Sequence, residues 1–282
     1  MSDAGKPGRC LGLIGGLGPG ATIHYYRELV AGHERQGRVP RLLIAHADIQ
    51  RVYALVIAKD FDGLARYLAS LIENMAAGGA EFTAIVAATP HICASQLEAI
   101  SPLPLINMLT EVRAAVHASG LKRVAMLGTR FTIETRMFGS LDGIETIMPE
   151  AREIERIQDI YKDFVEGRGS DAKADELRKF ARTFVARDGA QSILIAGTDL
   201  STVFTESNAG FPMLDCARIH IDAMCGKCSP RSEASPYSTS PLSNFGTSPV
   251  KPAASRMNMR LSTGIRSTMP SPTSRTRRST SE

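Results

Sequence analysis

The sequence predicts an α/β fold of two similar lobes, each a parallel sheet flanked by helices, with a cleft between them. Three observations carry that expectation. Short apolar runs ending in small residues alternate with amphipathic segments, the pattern of parallel sheets covered by helices. The alternation restarts near residue 121. Both halves contain a strand that ends in small residues followed by threonine: Ala87-Ala88-Thr89 and Ala196-Gly197-Thr198. Ligands of open parallel sheets bind outside the carboxyl ends of the strands, so these two ends are expected to face a shared cleft.

In the first half, Cys10–Gly15 is a short apolar run ending in glycine, the mark of a buried parallel strand. Residues 16–20 turn the chain, and 21–32 form a helix with Ile23, Tyr26 and Leu29 on one face. Strands follow at 41–47, 81–88 and 103–106, with helices at 61–77 and 109–118. In the second half, strands are expected at 123–128, 145–148, 191–196 and 212–214. Loop and helix share 129–141, and helices cover 150–165, 173–186 and 215–224.

Composition limits the function classes. The 282 residues carry a formal net charge of +4, which alone would suggest an anionic partner. From 226 to 282, however, there are nine Lys/Arg and two Asp/Glu, a net of +7, which leaves the first 225 residues at −3. The same stretch holds 14 Ser, 7 Thr and 7 Pro and has no apolar periodicity, so it is expected to be disordered. The domain reading is therefore residues 1–120, 121–225 and a basic tail, 226–282, with part of the last helix packing back on the first lobe. The tail's aromatics are Tyr237 and Phe245, too few for a base-stacking surface, so no specific nucleic-acid partner is expected. No apolar run approaches the roughly 18 residues of a membrane span. The first residues lack the sections of a signal peptide, so a cytoplasmic setting is expected. Cys225 and Cys228 form one C-x-x-C without a second ligand pair, and no metal is expected there.

The segment Gly15-Gly16-Leu17-Gly18-Pro19-Gly20-Ala21-Thr22 links a strand to a helix and offers backbone N–H groups to an anion. It also fits G-x-G-x-x-G/A, but Pro19 removes a donor and no acid at the end of a second strand follows at the dinucleotide spacing; Asp48, the nearest at a strand end, comes nearly 30 residues on. Small-anion binding, a dinucleotide and a plain tight turn all remain open.

Leu11 to Thr22, followed by His24, Tyr25 and Tyr26, resembles the opening of the aspartate/glutamate racemase family, nearest its aspartate racemase branch. Four further segments fall in the family's order. Ala88-Thr89-Pro90-His91 resembles its Asn-Thr-Pro/Met-His segment, and Met126-Leu127-Gly128-Thr129 the turn that opens the second lobe. Gly197-Thr198-Asp199-Leu200 resembles its Cys-Thr-Glu-Leu segment, and Leu214 to His220 its Asp-Ser-Ala-x-x-His segment. The resemblance spans about residues 9–225. The composition changes at 226, where it stops, which suggests an appended or frame-shifted terminus.

The resemblance implies a small acidic amino acid or dicarboxylate as ligand, a homodimer, and proton transfer at the α-carbon without a cofactor. Two groups, usually thiols, flank the carbon, because inversion returns the proton to the opposite face. The sequence departs from the family at these positions. Ala87 and Ala88 stand where the family has its first acid/base residue and asparagine, and Gly197 where it has its second cysteine. None can carry a proton. Candidate substitutes are His91, Cys93, Asp199 and Cys216; each also reads as a structural residue, Asp199 as a helix cap. Gly16, Leu17, Gly18, Thr89, Thr129 and Thr198 are candidate ligand contacts, and Arg51 a candidate clamp on a substrate carboxylate. Two functions stay open: racemization of a small acidic amino acid by unusual groups, or an inactive relative that binds a small carboxylate.

Overall fold

The computed structural model describes residues 8–138, 141 and 143–228. Two four-stranded sheets, all parallel, lie within one compact unit. The first takes β1 (Cys10–Gly15), β2 (Arg41–His46), β3 (Phe82–Ile85) and β4 (Leu105–Ile106) in the order β2-β1-β3-β4. The second takes β5 (Arg123–Leu127), β6 (Glu145–Ile147), β7 (Ser192–Ile195) and β8 (Met213–Asp215) in the order β6-β5-β7-β8. Both orders place the first strand of the half between the second and the third. The repeated theme of the sequence is thus a repeated topology.

β1 and β5 are central strands, paired on both sides. Every residue of β1 is buried, as its unbroken apolar run requires. Between the strands run α1 (Pro19–Glu34), α2 (Ile49–Ile57), α3 (Phe61–Ala77), α4 (Ala94–Ile100), α5 (Met108–Ala118), α6 (Arg130–Glu134), α7 (Ala151–Val165), α8 (Asp171–Ala186) and α9 (Cys216–Lys227). Local chemistry sets many starts. Asp48 accepts from the Gln50 N–H at 2.9 Å, Asn107 from Leu109 at 3.0 Å, and Asp215 from Ala217 at 2.9 Å, each satisfying an orphan donor at its helix N-terminus. α1 instead opens with Pro19 in its first turn, where a missing N–H costs nothing.

Several expectations change. α1 buries Ala21, Tyr25 and Leu29, not the face of Ile23 and Tyr26, which are 52% and 49% exposed. The i, i+4 row that packs is offset because Tyr25 reaches α9. α2, a short helix directly after β2, is not among the expected elements, and α4 begins at Ala94, one residue after Cys93. β3 stops at Ile85, not Ala88. The Val86 N–H still reaches the Ile14 carbonyl at 3.1 Å, after which the chain bends into a 3₁₀ turn at Thr89–Cys93. α9 continues past Cys225 to Lys227. Cys228 is buried, and its carbonyl accepts from the Arg9 N–H at 3.1 Å, so the start of the expected tail is structured. The rest of that tail, 229–282, lies outside the described residues.

α9 packs against α1 and α5, which follow strands of the first sheet. Its Ile221 and Met224 join Tyr25, Leu29 and Val112 in one apolar cluster that also takes Met126 and Leu194 from the second sheet. Two further clusters back the outer faces of the sheets. Among the described residues, no helix is long and apolar enough to cross a membrane.

Candidate functional site

The carboxyl ends of the central strands meet at one cavity of about 40 Å³. Leu17 enters it from the glycine turn after β1. Ala87 to Pro90 come from the end of β3, Thr129 from the end of β5, and Gly197 to Asp199 from the end of β7. Ile49, Val52 and Tyr53 of α2 and Tyr161 of α7 complete much of the wall. The expected facing of Ala87-Ala88-Thr89 and Gly197-Thr198 is therefore what the fold builds.

The glycine turn is shaped by its own contacts. Gly16 has φ +82°, a left-handed conformation, and a Cβ there would lie 2.8 Å from the Ala47 carbonyl oxygen. Its N–H donates to Thr22 Oγ1 at 3.1 Å, and that hydroxyl donates to the Gly18 carbonyl at 3.1 Å. A Cβ on Gly18 would lie 2.8 Å from Asp199 Oδ1. The turn is thus packed against a carboxylate from the other sheet.

Asp199 is the ionisable centre of the cavity. The Tyr161 hydroxyl donates to its Oδ2 at 3.0 Å. No side-chain cap bond from Asp199 to the following 3₁₀ turn is formed. Burial raises its carboxyl pKa, and the Tyr161 hydrogen bond opposes that rise. The Tyr161 phenol is held well above its ordinary value, by burial first and then by the Asp199 charge. Tyr53 is also raised, by burial and then by Asp199 and Glu166.

The Tyr161 ring also explains Gly197. A Cβ built on Gly197 would lie 2.5 Å from Tyr161 Cε2 and 2.6 Å from its Oη, closer than real side chains come. The tyrosine fills the space in front of the β7 end.

The other candidate proton carriers lie elsewhere. His91 is 1% exposed; its Nδ1 is 2.9 Å from the Ala87 carbonyl, and its Nε2 accepts from the Met108 N–H at 3.3 Å. Burial brings its pKa down to about 4. Cys93 is fully buried, donates to the Pro90 carbonyl at 3.2 Å, and is pushed up to about 12 by burial. Cys216 is fully buried at the start of α9 and its thiol is raised well above the ordinary range, chiefly by burial. None of the three lines the cavity. Arg51 faces away as well, with its guanidinium 4.3 Å from the centre of the Tyr67 ring. Thr129 lines the wall but also caps α6, accepting from the Thr132 N–H at 3.1 Å. Thr198 is buried in the wall and Thr89 opens the 3₁₀ turn.

The family model for Asp/Glu/hydantoin racemases matches residues 14–224, most of the chain and every wall position named above. This chain belongs to the Asp/Glu/hydantoin racemase family. Solved structures agree in fold. An Asp/Glu racemase-like structure from Yersinia pestis is 25% identical with a TM-score of 0.69, covering 78% of this chain and 99% of its own. An aspartate racemase homologue from Pyrococcus horikoshii is 20% identical with a TM-score of 0.67, covering 77% and 98%. The aspartate racemase of Picrophilus torridus is 19% identical with a TM-score of 0.63, covering 79% and 96%.

As a member of the Asp/Glu/hydantoin racemase family, the chain carries Ala87, Ala88 and Gly197 at the strand ends that face the cavity. Reading the sequence alone misses Tyr161, Tyr53 and Thr132. Tyr161 sits in an amphipathic helix, one turn after Ile157, and reads there as a core residue. The one available signal was Gly197: a glycine at a strand end facing a cleft leaves a space that some other side chain must fill.

Proposed function

We propose that this racemase-family chain binds a small amino or carboxylic acid in the cavity between the strand ends and does not invert it at the α-carbon. One observation carries the reading: the strand-end positions facing the cavity are Ala87, Ala88 and Gly197, and Tyr161 occupies the space beside Gly197. Inversion needs a proton carrier on each face of the α-carbon. Asp199 with Tyr161 supplies a carrier on one side only, and the opposite strand end supplies Ala87 and Ala88. Fold likeness to racemases does not restore the missing groups.

The test is incubation of the protein with the L and D forms of alanine, aspartate and glutamate in deuterated water, followed by NMR of the α-proton and chiral analysis. No inversion above the protein-free background is expected. Inversion of any of them overturns the reading and favours racemization by substitute groups. A second reading keeps half of the chemistry, because the raised Asp199 carboxyl is suited to accept a proton. A one-sided carrier exchanges the α-proton with retention, so deuterium uptake without inversion identifies it.

A further inference from the structure

The charges around the cavity point to the class of ligand it takes. Among the described residues, its walls carry one carboxylate, Asp199, two phenols, Tyr53 and Tyr161, and several threonine hydroxyls, but no Lys, Arg or His. The basic residues adjacent in sequence to the wall, Arg51, Arg130 and Lys162, do not line it. Arg51 lies over the Tyr67 ring. Arg130 reaches Glu134 and Glu155 at 4.0 and 3.8 Å, and Lys162 reaches Glu166 at 3.8 Å. Glu166 adds to the negative field at Tyr53.

A ligand with two carboxylates would bring its charges beside Asp199 with no side-chain cation to offset the repulsion. An ammonium group would find in Asp199 a counter-ion in a partly desolvated wall, where charge-assisted hydrogen bonds are strong. A carboxylate accepts about four hydrogen bonds, and the Tyr161 hydroxyl and the residue's own amide engage only part of that capacity. Size points the same way. A cavity of about 40 Å³ has room for about three water molecules, which suits a compact ligand.

We propose that the cavity selects a compact ligand bearing a primary ammonium group, on the scale of alanine, with Asp199 as its counter-ion held by Tyr161, and discriminates against dicarboxylates. The inference rests on the ligand-binding reading above and names the ligand class for that same site. The threonine hydroxyls of Thr89 and Thr198 are the donors available to the ligand's single carboxylate.

Titration calorimetry on the full chain with alanine, ethylamine, propionate, succinate and aspartate tests it. Alanine and ethylamine should bind. Propionate and succinate, which lack the amine, should bind at least about tenfold more weakly than alanine, the worth of one charge-assisted hydrogen bond. Aspartate, which keeps the amine and adds a second carboxylate, should also bind more weakly than alanine, and equal affinity overturns the discrimination against dicarboxylates. Asp199→Asn should erase the preference of alanine over propionate. Should that variant not fold, NMR titration of the native Asp199 carboxyl replaces it: saturating alanine should lower its pKa, and no change overturns the inference. Propionate or succinate binding as tightly as alanine overturns the ammonium selection while leaving the ligand-binding reading intact. Failure of every probe to bind overturns both.

Discussion

The Tyr161 ring stands where a side chain on Gly197 would have to be, with its Oη 2.6 Å from the ideal Cβ position. Local packing therefore favours glycine at this position, because a tyrosine from α7 takes the space that a larger side chain would need.

Restoring a thiol at that position should fail on its own. Gly197→Cys is expected to cost about 1–3 kcal/mol through overpacking, read as a lower urea midpoint. Tyr161→Ala alone is expected to cost about 3–5 kcal/mol by opening a cavity. Because the two changes relieve each other, the double variant should lose less than the sum of the singles by about 1 kcal/mol or more. Strict additivity would mean that the two residues do not compete for the same space.

Arg51→Ala should leave ligand affinity within about twofold and cost about 0.5–1 kcal/mol of stability, the scale of an exposed cation–π contact. Calorimetry and urea unfolding measure the two. A tenfold or greater loss of affinity would show that the guanidinium leaves Tyr67 and reaches the ligand.

All five cysteines are buried, and Cys93 and Cys228 are each pushed up to about 12 by burial. The thiolate is the reactive form, so Ellman's reagent at pH 8 should find no fast-reacting thiol in the native protein and five after denaturation. One rapid native equivalent would identify a cysteine accessible enough to be reconsidered as a proton carrier.

The protein should lose stability in mild acid through two buried imidazoles. His91 and His220 are held neutral by burial, with pKa values down to about 4 and about 3. Their folded values lie below the unfolded value of about 6.5, so protons bind the unfolded chain first. Stability is complete above that value and falls as the pH drops below it, by about 2 kcal/mol for each histidine at pH 5. Asp199 and Asp215, raised by burial, act with the opposite sign as they take up protons. Urea midpoints between pH 7.5 and 5 should therefore fall for the native chain and fall less for His220→Gln. Equal slopes would show that other groups set the acid limb.

The strands were legible because parallel sheets bury both faces and leave near-continuous apolar runs, as at Cys10–Gly15 and Ser192–Ile195. The cavity's address was legible for the same reason, since both strand ends carry small residues and threonine. The α1 face was not legible, because Tyr25 is buried by a partner 195 residues away, not by its neighbours. The roles of His91, Cys93 and Cys216 depended on depth: His91 and Cys93 lie close in sequence to the cavity wall, but all three are buried and none lines it. Tyr161 was hidden because a helical periodicity records which face is covered and not what covers it.

Tyr25 of α1 meets His220 of α9 at 3.3 Å, and the His220 ring lies 2.9 Å from the Ile106 carbonyl of β4. During synthesis, α1 leaves the ribosome long before this partner exists. At roughly 5–20 residues per second the interval is about 10–40 s, during which the Tyr25 and Leu29 face stays uncovered. The first sheet can pair its strands early, but its inner layer closes only when the last described helix arrives. A chain shortened before Cys216 would therefore lack a layer of the first lobe, although its cut lies in the second.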